Sequence, residues 1–233
     1  WSDQFNGGLL TGGFEVGTVG QGSGSFNMPL PVGCTIHQAY FFGTQVGAAA
    51  DITVDMNGTP YTFDAGNLAG PLFNTGYGGL SGVHAIDVTA DINATITNYT
   101  ITVPSQSSQI SNSWTEFYLV IGYELVGATS INVELYFNDQ DAGPSNFFVL
   151  NTAAPLLTAN GIGFATLGGY ASAGTDCESI TVNGTLLGSF WGGDFNSADL
   201  TWGTMGCMAY AKGAVTGLGD DNADQAINNT DVV

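Results

Sequence analysis

The side chains with the most chemical potential lie toward the C-terminal end. Asp194 and Asp199 sit close in sequence to Trp191 and Trp202. Two carboxylates flanking a sugar ring can hydrolyse a glycoside, one as acid and the other as base or nucleophile. Indole rings stack on sugar faces. Against this, aromatic side chains in a β protein more often fill cores or cross-strand pairs. The preferred reading is therefore packing, with sugar stacking by Trp191 and Trp202 as a secondary expectation.

Farther along, Asp220, Asn222 and Asp224 alternate as in the opening of an oxygen-rich calcium loop, but the glycine and closing Glu of an EF-hand are missing. Asn138, Asp139 and Asp141 form a second oxygen-rich cluster. Calcium is the one cofactor this pattern suggests; the plainer alternative is a pair of solvated acidic loops. The histidines are His37 and His84, neither beside a nucleophile motif. No Gly-x-Ser-x-Gly elbow and no His-Glu-x-x-His occurs. Structural or surface roles are expected for both histidines, and the chain is expected not to be an enzyme.

Charge narrows the field further. The 233 residues include 20 acidic side chains and one basic one, Lys212, for a formal net charge of −19. Neutralising nucleic-acid phosphates takes Lys and Arg, so no nucleic-acid partner is expected. Anionic membranes and phosphoryl transfer are disfavoured for the same reason. No apolar run approaches the roughly 20 residues of a membrane-spanning helix, so no membrane span is expected. If copies assemble, neutral contacts or bound cations must offset their repulsion.

Three cysteines, Cys34, Cys177 and Cys207, match no zinc spacing. The expected pattern is one disulfide between Cys177 and Cys207, which share the same half of the chain, with Cys34 left over. Three buried, reduced cysteines are the alternative. The chain begins at Trp1 without a charged or apolar leader, which reads as a mature secreted chain. Asn57, Asn93, Asn98, Asn183 and Asn228 each open an Asn-x-Thr triplet, so glycans are possible additions.

The elements that must position these residues are strands. Thirty-five glycines interrupt most windows, each disfavouring a helix by about 1 kcal/mol. Ile52, Val54 and Met56 alternate with Thr53 and Asp55, ahead of Asn57-Gly58, the strongest two-residue hairpin signal. Phe117, Leu119, Ile121 and Tyr123 share one face of a strand, and Ile131, Val133, Leu135 and Phe137 share another. Further strands are expected at 35–44, 83–89, 95–103, 146–150, 162–170, 178–182, 186–191 and 206–211. The fold class is all-β, with many short strands read as a sandwich or jelly roll.

A faint repeat suggests two related lobes. Ile52-Thr53-Val54-Asp55-Met56-Asn57-Gly58-Thr59 is echoed by Ser179-Ile180-Thr181-Val182-Asn183-Gly184-Thr185. The expected organisation is an N-terminal arm or first strand at 1–27, a first lobe at 28–140 and a second at 141–233.

The ordered series of Gln38-Ala39-Tyr40-Phe41, the 52–59 hairpin, Ile86-Asp87-Val88-Thr89 and Tyr118-Leu119-Val120-Ile121-Gly122-Tyr123-Glu124 resembles a repeated β-sandwich domain of large prokaryotic surface and adhesin proteins. With its short glycine-rich head, the chain is similar to a pilin-like filament subunit. The resemblance implies an extracellular location and a partner that is another copy of the chain. In the head, Leu9, Leu10, Phe14, Val16 and Val19 lie among paired glycines. Such a segment suits a strand donated to a neighbour's sheet. It equally suits a first strand in its own sheet, or a disordered leader. The expected function is a structural subunit of a secreted filament or surface assembly, polymerising by strand donation or head-to-tail contacts. The alternative is a calcium-dependent adhesin or carbohydrate-binding module.

Overall fold

The computed structural model describes residues 1–16, 21–74, 80–106, 112–135, 179–182 and 185–189. Twelve strands run in chain order: β1 (Ser2–Glu15), β2 (Gly22–Asn27), β3 (Thr35–Val46), β4 (Ile52–Met56), β5 (Thr59–Phe63), β6 (Phe73–Asn74), β7 (Leu80–Asp87), β8 (Asn98–Val103), β9 (Ser113–Glu124), β10 (Ser130–Glu134), β11 (Ser179–Val182) and β12 (Thr185–Ser189). Short 3-10 turns span Ala65–Asn67 and Thr89–Asp91. The described residues contain no α-helix, so the chain is all-β as far as it is described. No helix among them is long and apolar enough to cross a membrane.

One sheet has the order β10-β1-β9-β3-β7-β6 and a second the order β2-β8-β4-β5, all pairs antiparallel. Local chemistry explains the smaller sheet. Ile52, Val54 and Met56 turn inward from β4, and Tyr61 and Phe63 from β5. Asn57 and Gly58 hold φ of 53° and 86°, as a type I′ turn demands. The outer face is stitched by hydroxyl pairs across strands: Ser23–Thr102 at 2.9 Å, Ser25–Thr100 at 2.7 Å and Thr53–Thr62 at 2.8 Å.

The larger sheet centres on β9. Phe117, Leu119 and Ile121 are buried, as their shared face predicts, but so are Tyr118 and Val120 on the opposite face. The core joins the two sheets through aromatic rings. Phe63 of β5 stands 5.2 Å from Phe41, 5.5 Å from Trp114 and 5.7 Å from Phe117, ring centre to ring centre. Each such side chain contributes about 1.5–3 kcal/mol by leaving water.

The head takes the first-strand alternative of its expectation and lies in the chain's own sheet. Gly7–Glu15 of β1 pair with β9, and Ser2–Asn6 pair with β10. The main-chain groups that a neighbour was expected to satisfy are satisfied internally. Leu9 and Leu10 pack against the core and Val16 is fully buried. Phe14 lies opposite Phe117 in the ladder, while Val19 lies outside the described residues. The glycines serve clearance more than flexibility. A methyl group on Gly13 would meet the Phe117 carbonyl, and one on Gly12 would meet the Phe26 ring and the Met28 sulfur. Residues 1–27 supply β1 to one sheet and β2 to the other.

In the second half, β11 and β12 form an antiparallel hairpin with a register shift between Ile180 and Thr181. It occupies the run that echoes β4 and β5. The strands expected at 146–150, 162–170 and 206–211 lie outside the described residues.

Candidate functional site

His37 has the most developed polar geometry on the surface. The β3–β9 ladder shifts register between Ile36 and Gln38, leaving His37 as the extra residue of a bulge. Bulges re-aim side chains, and this one sets the imidazole between two strands' carboxylates. Nε2 lies 2.8 Å from Asp3 Oδ2 of β1, and Nδ1 lies 3.0 Å from Glu124 Oε1 of β9. Phe5 stacks on the ring at 4.3 Å. Only the imidazolium can donate to both carboxylates at once. The hydrogen bond to Asp3 raises the His37 pKa above its ordinary value, and the same bond lowers that of Asp3. The arrangement fastens three strands.

His84 is buried on β7. Its Nδ1 donates to the Asp64 carbonyl at 2.7 Å, Nε2 faces Gln45 Oε1 at 2.9 Å, and Trp114 packs edge-on at 4.6 Å. Burial holds its pKa below the ordinary value, and the ring links β7 to Asp64 and to Gln45 of β3. Asp64 in turn caps the 65–67 turn, accepting from Gly66 N at 2.7 Å.

Two shallow clefts open at this end of the lobe. One, of about 210 Å³, is lined by Gln45, Ala48, Ala49, Leu68, Leu72 and Trp114, among others. The other, of about 420 Å³, lies along Asp51, Ile52, Pro104, Gln106, Asn112 and Trp114. Most of their polar side chains are already engaged, and Asp51 lines both clefts. Gln106 brackets Trp114, donating from Nε2 to its carbonyl at 2.8 Å and accepting from its N–H at 2.6 Å. Asn112 Oδ1 accepts from Ala48 N at 2.9 Å, and Trp114 Nε1 donates to the Ala50 carbonyl at 2.8 Å. The smaller cleft combines the apolar walls of Ala48, Ala49, Leu68 and Leu72 with the side chains of Asp51, Asp64 and His84.

Asn57 occupies the turn its sequence announced, and its side chain also works. Oδ1 accepts from Thr100 N at 2.8 Å, tying the hairpin to β8. Asn93 is exposed and accepts from Thr95 N at 3.0 Å, while Asn98 is exposed at the start of β8. Cys34 is half-buried and free. The remaining candidates lie outside the described residues: Asp220, Asn222 and Asp224; Asn138, Asp139 and Asp141; Cys177 and Cys207; Asn183 and Asn228; Trp191 and Trp202. Among the described residues no group of three His, Cys, Asp or Glu side chains is gathered as a metal site.

The sequence reading missed the His37 contacts and the bracket on Trp114. Asp3 and His37 are 34 positions apart and His37 and Glu124 are 87 apart, and no local pattern links them. Comparison with protein-family models, curated proteins and solved structures finds no match.

Proposed function

We infer that the chain is a structural, non-enzymatic β-sandwich subunit of an extracellular surface assembly, built by contacts between folded copies. One observation carries this reading: the polar side chains of the described residues mostly tie one segment of the fold to another. The hydroxyl pairs and the His37 bridge join strands, the Gln106 bracket fixes a loop to β9, and the Asp64 cap closes a turn. That is the economy of a load-carrying module. The internal pairing of β1 favours head-to-tail contact over strand donation. The near absence of cations favours neutral, apolar contacts between copies, because charged faces of like sign repel. Negative-stain microscopy and sedimentation of the purified full chain test the reading. Fibres, sheets or concentration-dependent oligomers are expected; a monomer persisting at millimolar concentration overturns it.

A further inference from the structure

Three Asn-x-Thr triplets fall within the described residues, and the fold treats them differently. Asn93-Ala94-Thr95 lies in the connection that carries the chain from β7 of the larger sheet to β8 of the smaller one. Ile96 N donates to the Asn93 carbonyl at 2.9 Å and closes a four-residue turn that opens on Asn93. Side chains alternate along this turn. Ile92, Ala94 and Ile96 pack against the core, while Asn93 and Thr95 are exposed. Asn93 Oδ1 accepts twice from Thr95, from its N–H at 3.0 Å and from its hydroxyl at 2.9 Å. An asparagine that holds the backbone two residues on is a stable local arrangement. Both contacts fall on the oxygen. They orient the carboxamide and set Nδ2 on its far side, where no described residue bonds it.

The other two triplets are tied into the sheets. Asn57 Oδ1 accepts from Thr100 N at 2.8 Å, and Nδ2 points at the Asn98 carbonyl, 3.5 Å away. A bulky group on that nitrogen would part the hairpin from β8. Asn98, Tyr99 and Thr100 are ladder residues, paired with Asn27, Phe26 and Ser25 of β2. Tyr99 is buried, and the Thr100 hydroxyl is committed to Ser25 Oγ at 2.7 Å. Along a strand, residues two apart stand roughly 7 Å from each other. The Asn98 triplet therefore cannot bend into a turn without leaving the sheet. We propose that Asn93 is a carbohydrate attachment site of this chain, and that Asn57 and Asn98 are not. The substituent is an N-linked glycan, transferred enzymatically from a glycosyl donor with a diphosphate leaving group. Nδ2 forms the new bond to the anomeric carbon, the bond from that carbon to the diphosphate oxygen breaks, and one Nδ2 proton passes to a base on the transferase. A transferase that reads Asn-x-Thr must take the carboxamide and the hydroxyl together. Of the three triplets, only 93–95 presents them side by side and outside the sheets. The added bulk stands in solvent, so no core contact or strand pair is lost.

The site rests on the extracellular part of the proposed function and is independent of assembly. The chain is isolated from the cells that make it and its peptides are mapped by mass spectrometry. Chymotrypsin replaces trypsin, because one Lys leaves trypsin almost nothing to cut. The expected result is a sugar-containing mass increment on Asn93, with Asn57 and Asn98 bare. A bare Asn93, or equal sugar on Asn57 or Asn98, overturns the proposal. A second measurement isolates the part played by the fold. Unglycosylated folded chain, and peptides spanning 53–61, 89–97 and 96–102, are each given an oligosaccharyltransferase and a polyprenyl-diphosphate oligosaccharide. In the folded chain Asn93 is expected to react about tenfold or more faster than Asn57 and Asn98, which must wait for local opening of the sheet. In the peptides that preference is expected to disappear. Equal rates in the folded chain, or the same preference in the peptides, would show that the fold does not choose the site and would overturn it. If fibres form from a chain bare at Asn93, the glycan falls and assembly stands. If a chain glycosylated at Asn93 stays monomeric, assembly falls and the glycan stands.

Discussion

His37 Nε2 lies 2.8 Å from Asp3 Oδ2, joining the outermost stretch of β1 to β3 through a residue that a bulge has pushed out of the ladder. Glu124 takes the other ring nitrogen at 3.0 Å. One imidazole thus holds the start of β1 against two further strands. Because β1 supplies the pairing for both β9 and β10, this bridge acts where the sheet would first open.

The bridge makes stability depend on pH. The folded His37 pKa is raised above its ordinary value of 6.5, chiefly by the hydrogen bond to Asp3. A group with a raised folded pKa binds its proton more tightly when folded. Its contribution is complete below about pH 6.5 and disappears as pH climbs through the raised value. Asp3 has the opposite sign: its lowered pKa supports the fold above the ordinary value of 3.8 and stops doing so in stronger acid. The melting temperature should therefore fall by a few degrees between about pH 6 and pH 8.5, and His37→Gln should flatten that slope. Equal slopes for the parent and His37→Gln by calorimetry would remove His37 from the explanation.

The glycines of β1 should behave as packing residues. At Gly13 an added methyl meets backbone of β9, which cannot swing aside as a side-chain tip can. Gly13→Ala should cost about 1–3 kcal/mol in urea unfolding, in the range of overpacked cores. Removing residues 1–16 should leave an unfolded or aggregating chain, not a soluble monomer, because β9 and β10 lose their shared partner. A well-folded truncated monomer, shown by dispersed amide NMR signals, would restore the donated-arm reading.

At the β4–β5 turn the side chain and the backbone can be separated. Asn57 holds φ of 53° and accepts from Thr100 N. Asn57→Ala loses the hydrogen bond and places alanine in the left-handed region, for a total of about 1.5–3 kcal/mol. Asn57→Gly keeps the backbone comfortable and loses only the bond, about 0.5–1.5 kcal/mol. Equal losses for the two would mean that the bond to Thr100 carries the position alone.

Much of the lobe was legible before any coordinates. Asn57-Gly58 between alternating segments marked the hairpin, because a type I′ turn needs two residues tolerant of positive φ. The runs at 35–44, 83–89 and 95–103 and the alternating residues Phe117 to Tyr123 announced strands; they overlap β3, β7, β8 and β9, with β7 ending at Asp87 and β8 starting only at Asn98. The short strand β6 carried no such signal, since two residues cannot display a period.

Local pattern left the head open. Paired glycines suit a donated strand, a first strand of the chain's own sheet or a disordered leader alike, since glycine is the most permissive residue. In the sheet, Gly12 and Gly13 are needed because Phe26 and the β9 backbone come too close for any side chain.

From the residues alone come the all-β class, several of the strands, the hairpin turn and the acidic character. These depend on neighbours in sequence or on composition, and one chain contains them outright. Only the tertiary structure decided that β1 lies between β9 and β10, that His37 bridges Asp3 and Glu124, and that Asn57 is tied to Thr100. Those relationships join residues tens of positions apart. They exist only once antiparallel pairing has brought distant strands into register, which no local periodicity encodes.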